Sequence, residues 1–223
     1  MKKSIFLSLF TGLAALILLS SCTYTNVPLP AENIYGNNWE GKYVAVITSQ
    51  DGSSLSPQFV DIDYIPQTGA YAIQTLLPVE EKGYWDQLVV DAQFARIGDY
   101  VYFSYPSIED KIKSKTSMYM IFEVDSAQTS LDKAVKSLSL FALPDNVFEG
   151  LPKISPKSKH STSEEDAISV DNVVDFESPQ ALRDFLKMKQ AEGKIWKTEK
   201  EKKDSRVEIT FYPIETFPKV KMQ

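Results

Sequence analysis

Apolar and polar residues alternate with a period of two over Phe59–Ile65, the spacing of a strand with one buried face. Val60, Ile62 and Tyr64 alternate with Asp61 and Asp63, which predicts a half-buried strand over Phe59–Ile65. Lys42–Ser49 (KYVAVITS) is dense in β-branched residues and reads as a strand, followed by the turn signal Asp51-Gly52-Ser53-Ser54. Gln67-Thr68-Gly69 turns the chain and Ala70–Leu77 returns. Leu88–Ile97 and Tyr100–Tyr105 are separated only by Gly98-Asp99. A two-residue loop with a glycine makes a tight hairpin because glycine accepts φ > 0, so these two runs are expected to pair antiparallel.

Ser117–Val124, Val135–Leu143 and Arg206–Tyr212 predict further strands, Ala167–Phe176 another, and Asp145–Leu151 one helical turn. Ser178-Pro179 is a helix start, with serine as N-cap and proline at the first helical position. Leu182, Phe185 and Leu186 line one face of that helix, and Gly193 stands where it should stop. Ser155–Asp166 contains no apolar residue and reads as a loop, and Glu199–Lys203 as a solvated charge cluster. The expectation is a mainly β fold: an antiparallel meander of about eight or nine strands with one C-terminal helix. Closing such a meander into a small barrel removes its exposed edges.

Composition narrows the functions open to the chain. Its 223 residues carry a net charge of −6, which argues against nucleic acid as a partner, because phosphate backbones require a basic face. The core must be built from packing, since one cysteine cannot form an intramolecular disulfide. Twelve Phe, 11 Tyr and 3 Trp supply it. No repeat is visible. The chain divides into residues 1–21, a Pro-punctuated tether over 22–38, a globular domain over 39–217 with its polar loop at 155–166, and a tail over 218–223.

Lys2 and Lys3 precede an apolar run from Ile5 to Leu19, interrupted only by Ser8, Thr11 and Gly12. At about 15 residues it is marginal against the ~20 needed to cross a bilayer. Leu19-Ser20-Ser21-Cys22 follows at once and places the sole cysteine directly after two small residues. The layout is that of a secretory signal, and its end resembles the lipobox of bacterial lipoproteins. That resemblance implies diacylglycerol on the Cys22 thiol, cleavage before it and acylation of the new amino terminus. Two or more acyl chains hold a protein stably on a membrane. Thr23, rather than Asp, implies the outer membrane, facing the periplasm.

Three further stretches together resemble a group of small bacterial lipoproteins that have a lipocalin-like barrel and no assigned activity. They are Trp39-Glu40-Gly41-Lys42-Tyr43, Asp91–Phe103 (DAQFARIGDYVYF) and Phe176–Phe185 (FESPQALRDF), in that order. The resemblance implies a lipocalin-like barrel and carries no functional residue with it.

Candidate chemistry is sparse. His160, the only histidine, sits in the polar loop without a second ligand at metal spacing, and with Cys22 committed to lipid no Cys/His metal site is expected. Asp61 and Asp63 share a strand face and could form a carboxylate pair, which equally describes the wet side of a sheet. Glu164-Glu165-Asp166 reads as a solvated acidic run. No phosphate loop, G-x-S-x-G elbow or H-E-x-x-H motif occurs. The aromatics crowding the central strands either fill the barrel or line a pocket for an apolar ligand. Trp85, Phe94, Tyr102 and Phe103 are the candidate lining residues. The expected function is binding without catalysis or cofactor: a small apolar ligand in the barrel, or another envelope protein on its surface.

Overall fold

The computed structural model describes residues 24–49, 52, 54, 57–79, 84–106, 118–131, 135–154 and 173–217, with only the backbone of 77–79 and 84–88. Cys22, His160 and Glu164-Glu165-Asp166 lie outside the described residues, as do 167–172 of the expected strand Ala167–Phe176.

Strand β1 (Tyr24–Thr25) comes first, then β2 (Gly41–Ser49), β3 (Gln58–Ile65), β4 (Ala70–Val79), β5 (Tyr84–Ile97), β6 (Tyr100–Pro106), β7 (Tyr119–Val124) and β8 (Lys136–Ala142). Strands β9 (Lys153–Ile154) and β10 (Val173–Val174), helices α1 (Pro179–Ala191) and α2 (Glu199–Asp204), and strand β11 (Arg206–Pro213) complete the described elements. Strands β2 to β8 pair each with the next, β11 pairs with both β8 and β2, and β6 pairs with both β5 and β7. The result is a closed eight-stranded antiparallel barrel, as the meander predicts. Everything between β8 and β11 is an insertion that leaves this up-and-down order intact.

The short turns explain why the meander closes locally. Gly98 takes φ +59°, a left-handed conformation that costs any other residue about 1–2 kcal/mol, and Ile97 pairs with Tyr100 across it. Alternation then sends Tyr43, Ala45 and Ile47 of β2 and Val60 and Ile62 of β3 inward, where they are buried. On β6 every residue after Tyr100 is buried, because a second apolar layer covers the outer face. That layer holds Leu29, Ala95, Ile97, Tyr102, Ile121 and the helix side chains Leu182 and Leu186.

Helix α1 forms where the sequence predicts. Ser178 Oγ accepts from the Ala181 amide at 3.1 Å, and Pro179 occupies the first position. At the other end the Gly193 amide donates to the Gln190 carbonyl and the Lys194 amide to the Lys189 carbonyl, both at 2.9 Å, with Gly193 at φ +65°. These are the two bonds of a Schellman stop. Leu182 and Leu186 are fully buried, and each contributes about 1.5–3 kcal/mol by leaving water.

One expectation fails and another holds only in part. Residues 24–38 are not a free tether. Tyr24 and Thr25 pair with Met120 and Tyr119 of β7 and with Val173 and Val174 of β10. The Asn26 side chain clamps Asp175 and Phe176 through bonds of 2.6, 3.0 and 2.8 Å, and Leu29 is buried beneath α1. The Glu32 amide then donates to the Phe94 carbonyl at 2.8 Å, its carboxylate accepts from the Arg96 amide and it pairs with Arg183. The segment is a strap stitched to the barrel by backbone bonds that a lack of periodicity conceals.

Glu199–Lys203, expected as a solvated cluster, lies within helix α2 with Glu199, Lys200 and Lys203 exposed and Lys202 turned inward. Thr198 Oγ1 accepts from the Glu201 amide at 3.0 Å, and the Glu201 carboxylate accepts from the Lys197 amide at 2.8 Å. Lys202 turns inward onto Glu123 of β7, which is 3% exposed and also accepts from Trp196 Nε1 at 2.9 Å. The Lys202 ammonium lies 4.8 Å from the Phe141 ring centre and 6.0 Å from that of Trp196.

Candidate ligand cavity

One end of the barrel is closed by the strap. A short 3-10 helix, η1 (Gly36–Trp39), lies across it, held by a 2.6 Å bond from the Tyr71 hydroxyl to the Gly36 carbonyl. Trp39 packs edge-on against Phe211, with centroids 5.1 Å apart, and Tyr35 meets Phe94 at 5.0 Å. Above this floor the interior holds a cavity of about 70 Å³. Ala45 and Ala92 leave the space, because an alanine at an inward position contributes one methyl where its neighbours contribute rings.

The wall is apolar, and none of its described side chains carries a charge. Two polar atoms of wall residues, Trp39 Nε1 and Thr75 Oγ1, are buried without a hydrogen-bond partner among the described residues and present no surface to the cavity. An unpartnered buried donor or acceptor costs about 1–3 kcal/mol. Gln93 Oε1 is likewise unpartnered, but Gln93 alternates with the inward residues Ala92 and Phe94 and so points to the outer face. Burial raises the Tyr71 and Tyr105 phenols above their ordinary 10.0, so both wall tyrosines are neutral at physiological pH.

Of the four candidate lining residues, Phe94 and Phe103 line the cavity, their rings 4.7 Å apart. The side chain of Trp85 lies outside the described residues; its backbone pairs with Pro78. Tyr102 does not line the cavity. Adjacent strand residues face opposite sides, so with Phe103 inward Tyr102 turns out to α1, where its hydroxyl accepts from Gln190 Nε2 at 2.7 Å. Burial, then the charge of Glu123, raises its phenol as well.

Sequence reasoning passed over Trp39 and Thr75. The signal for Thr75 was present, since it continues the inward series Tyr71, Ile73. Asp61 is ion-paired with Lys42 at 3.0 Å across β2 and β3, and Asp63 is exposed, so both belong to the wet face of the sheet. Among the described residues no group of three or more His, Cys, Asp or Glu could hold a metal ion, and no helix is long and apolar enough to cross a membrane. The chain matches no protein-family model, no curated protein and no solved structure.

Proposed function

We propose that this chain is a lipid-anchored protein of the bacterial cell envelope whose barrel binds a small apolar ligand. Acyl chains on Cys22 hold it to the outer membrane on the periplasmic side, and its work is binding, not catalysis. The observation that carries the ligand reading is the uncharged, apolar cavity inside the barrel. Such a wall favours an apolar body over water. The anchor reading rests on the lipobox-like Leu19-Ser20-Ser21-Cys22.

Each half has its own test. Labelled palmitate should enter the full chain and not Cys22→Ala, and the variant should leave the membrane fraction; equal labelling and equal fractionation of the two would overturn the anchor. Xenon or a small cycloalkane should perturb the methyl resonances of Ala45 and Ala92. An interior that answers to neither would overturn the ligand reading.

A further inference from the structure

On the outer face of the barrel, apart from the cavity, helix α2 covers a box of aromatic rings around a buried carboxylate. We infer that this box is a binding site for a quaternary or methylated ammonium, such as the trimethylammonium of a choline group, and that Lys202 is the resident occupant that closes it.

Strand parity builds the box. Glu123 on β7 stands opposite Tyr102 on β6 and Phe141 on β8, and directly opposed residues share a face. Tyr100, two residues before Tyr102, faces the same way. Trp196 comes in from the segment before α2 and meets the Phe141 ring at 72°, with centroids 6.1 Å apart. The Lys202 ammonium lies 4.8 Å from the Phe141 centre, 5.8 Å from Tyr100 and 6.0 Å from Trp196. It is ion-paired with Glu123. Three ring faces around one cation form an aromatic cage, because the negative face of each ring attracts the charge.

The ratio of ring face to hydrogen-bond acceptor selects the kind of cation. A primary ammonium has three N–H donors, and among the described residues Glu123 is the one acceptor bonded to Lys202. A trimethylammonium has no N–H to satisfy and turns its methyl groups to the rings. The Glu123 carboxylate, almost fully buried, supplies the opposite charge, and a neutral group of the same shape would leave it unpaired.

Helix α2 makes Lys202 a removable occupant. It has six residues, none of them buried, and a helix so short does not hold itself in water. The chain is fixed on either side of it: Ile195 is buried, and the Ser205 carbonyl accepts from the Ala142 amide at 3.1 Å. Lifting the segment between them withdraws Lys202 and leaves every barrel strand in place. Tyr100 is exposed, so the box already has a side open to water.

The full chain and its Lys202→Ala variant test this with choline, ethanolamine and 3,3-dimethylbutan-1-ol, the neutral isostere of choline. The Trp196 indole proton, identified by its loss in Trp196→Phe, reports occupancy. A lysine tethered beside the box competes at an effective concentration of about millimolar or more, so choline should bind Lys202→Ala about tenfold more tightly than the intact chain. On Lys202→Ala choline should bind about tenfold more tightly than the alcohol and also more tightly than ethanolamine, and adding Phe141→Leu should weaken it about threefold. Should Lys202→Ala fail to fold, the intact chain gives the readout: choline should speed amide exchange across Glu199–Asp204, because a filled box leaves α2 without its lysine contact. Equal binding of choline and the alcohol, or tighter binding of ethanolamine, would overturn the inference. So would an indole proton that choline shifts in neither chain. Cosedimentation of Cys22→Ala with phosphatidylcholine vesicles, cancelled by free choline, would place the ammonium on a lipid headgroup; choline binding without cosedimentation would place it on a free solute.

Discussion

Lys202 is the strongest test of the reasoning about packing, because it puts an ion pair under an apolar layer. The Glu123 side chain is 4% exposed and that of Lys202 21%. Replacing Lys202 by methionine keeps a stem over Phe141 and Trp196 but leaves the Glu123 carboxylate with only the Trp196 N–H among its partners above. Removing one partner of a buried pair costs about 3–5 kcal/mol. Lys202 retains some contact with water, so the lower end applies, about 3 kcal/mol. Glu123→Gln should cost less, about 1.5 kcal/mol, because the amide oxygen still accepts from Trp196 and Lys202 can turn out to solvent. The double variant should be more stable than Lys202→Met alone, since neither charge is then stranded.

Urea unfolding followed by circular dichroism measures this. With a slope of about 2–3 kcal/mol per molar, Lys202→Met should lower the midpoint by about 1–1.5 M. A loss below about 0.5 kcal/mol, or a double variant whose cost is the sum of the two singles, would refute the account of Glu123 as a carboxylate that depends on Lys202.

Alkaline stability follows from the buried phenols. Tyr71, Tyr102 and Tyr105 are raised above the ordinary 10.0 mainly by burial, so above that pH the unfolded chain releases protons that the folded one keeps. Stability is intact below pH 10 and should fall by up to about 4 kcal/mol per pH unit above it; absorbance near 295 nm should rise together with unfolding, and titration of all three near pH 10 in a folded protein would contradict this. Thr75→Val should be neutral or stabilising by about 1 kcal/mol in thermal melts, since it removes an unpartnered hydroxyl without changing shape; a clear loss would mean that the hydroxyl has a partner. Gly98→Ala should cost about 1–2 kcal/mol, because φ is +59° and the added Cβ would stand 3.0 Å from Gln190 Oε1, with chemical denaturation as the check. Asn26→Ala should cost about 2 kcal/mol and speed amide exchange at Phe176, since three bonds to Asp175 and Phe176 are lost; unchanged exchange would mean that the strap is not held there.

The barrel was legible because its signals are local. Each turn from β2 to β6 joins sequence neighbours, and Gly98-Asp99 fixes the β5–β6 register. Helix α1 was legible for the same reason, its cap and its stop both lying within the segment. Helix α2 hid in plain sight: Thr198-Glu199-Lys200-Glu201 has the spacing of a capping box, but its six residues carry no apolar stripe to mark a buried side. Its buried contact is the lysine itself. The cavity residues were half legible. Tyr102 and Phe103 are adjacent on one strand and cannot both face the interior, so parity alone excludes one of them. Which one is decided by α1, whose Gln190 supplies the hydrogen bond that a buried tyrosine hydroxyl needs.

Residues 24–38 show where reading by period must stop. A strand of two residues has no period, and the partners of Tyr24 and Thr25, β7 and β10, lie far along the chain. The prolines and polar residues that suggest a spacer are those of a segment whose hydrogen bonds are made by side chains and single amides, as at Asn26 and Glu32. The difference changes the mechanics of the proposed anchor. An extended residue spans at most about 3.3–3.6 Å, so a free tether of some 16 residues would let the barrel stand up to ~55 Å from the bilayer. With Tyr24 paired to Met120, chain geometry puts Cys22 at most about 7 Å from that pairing. An acyl group at Cys22, as proposed, would then hold the barrel close against the membrane by its β7 side, next to the strap that lays Trp39 across the cavity floor.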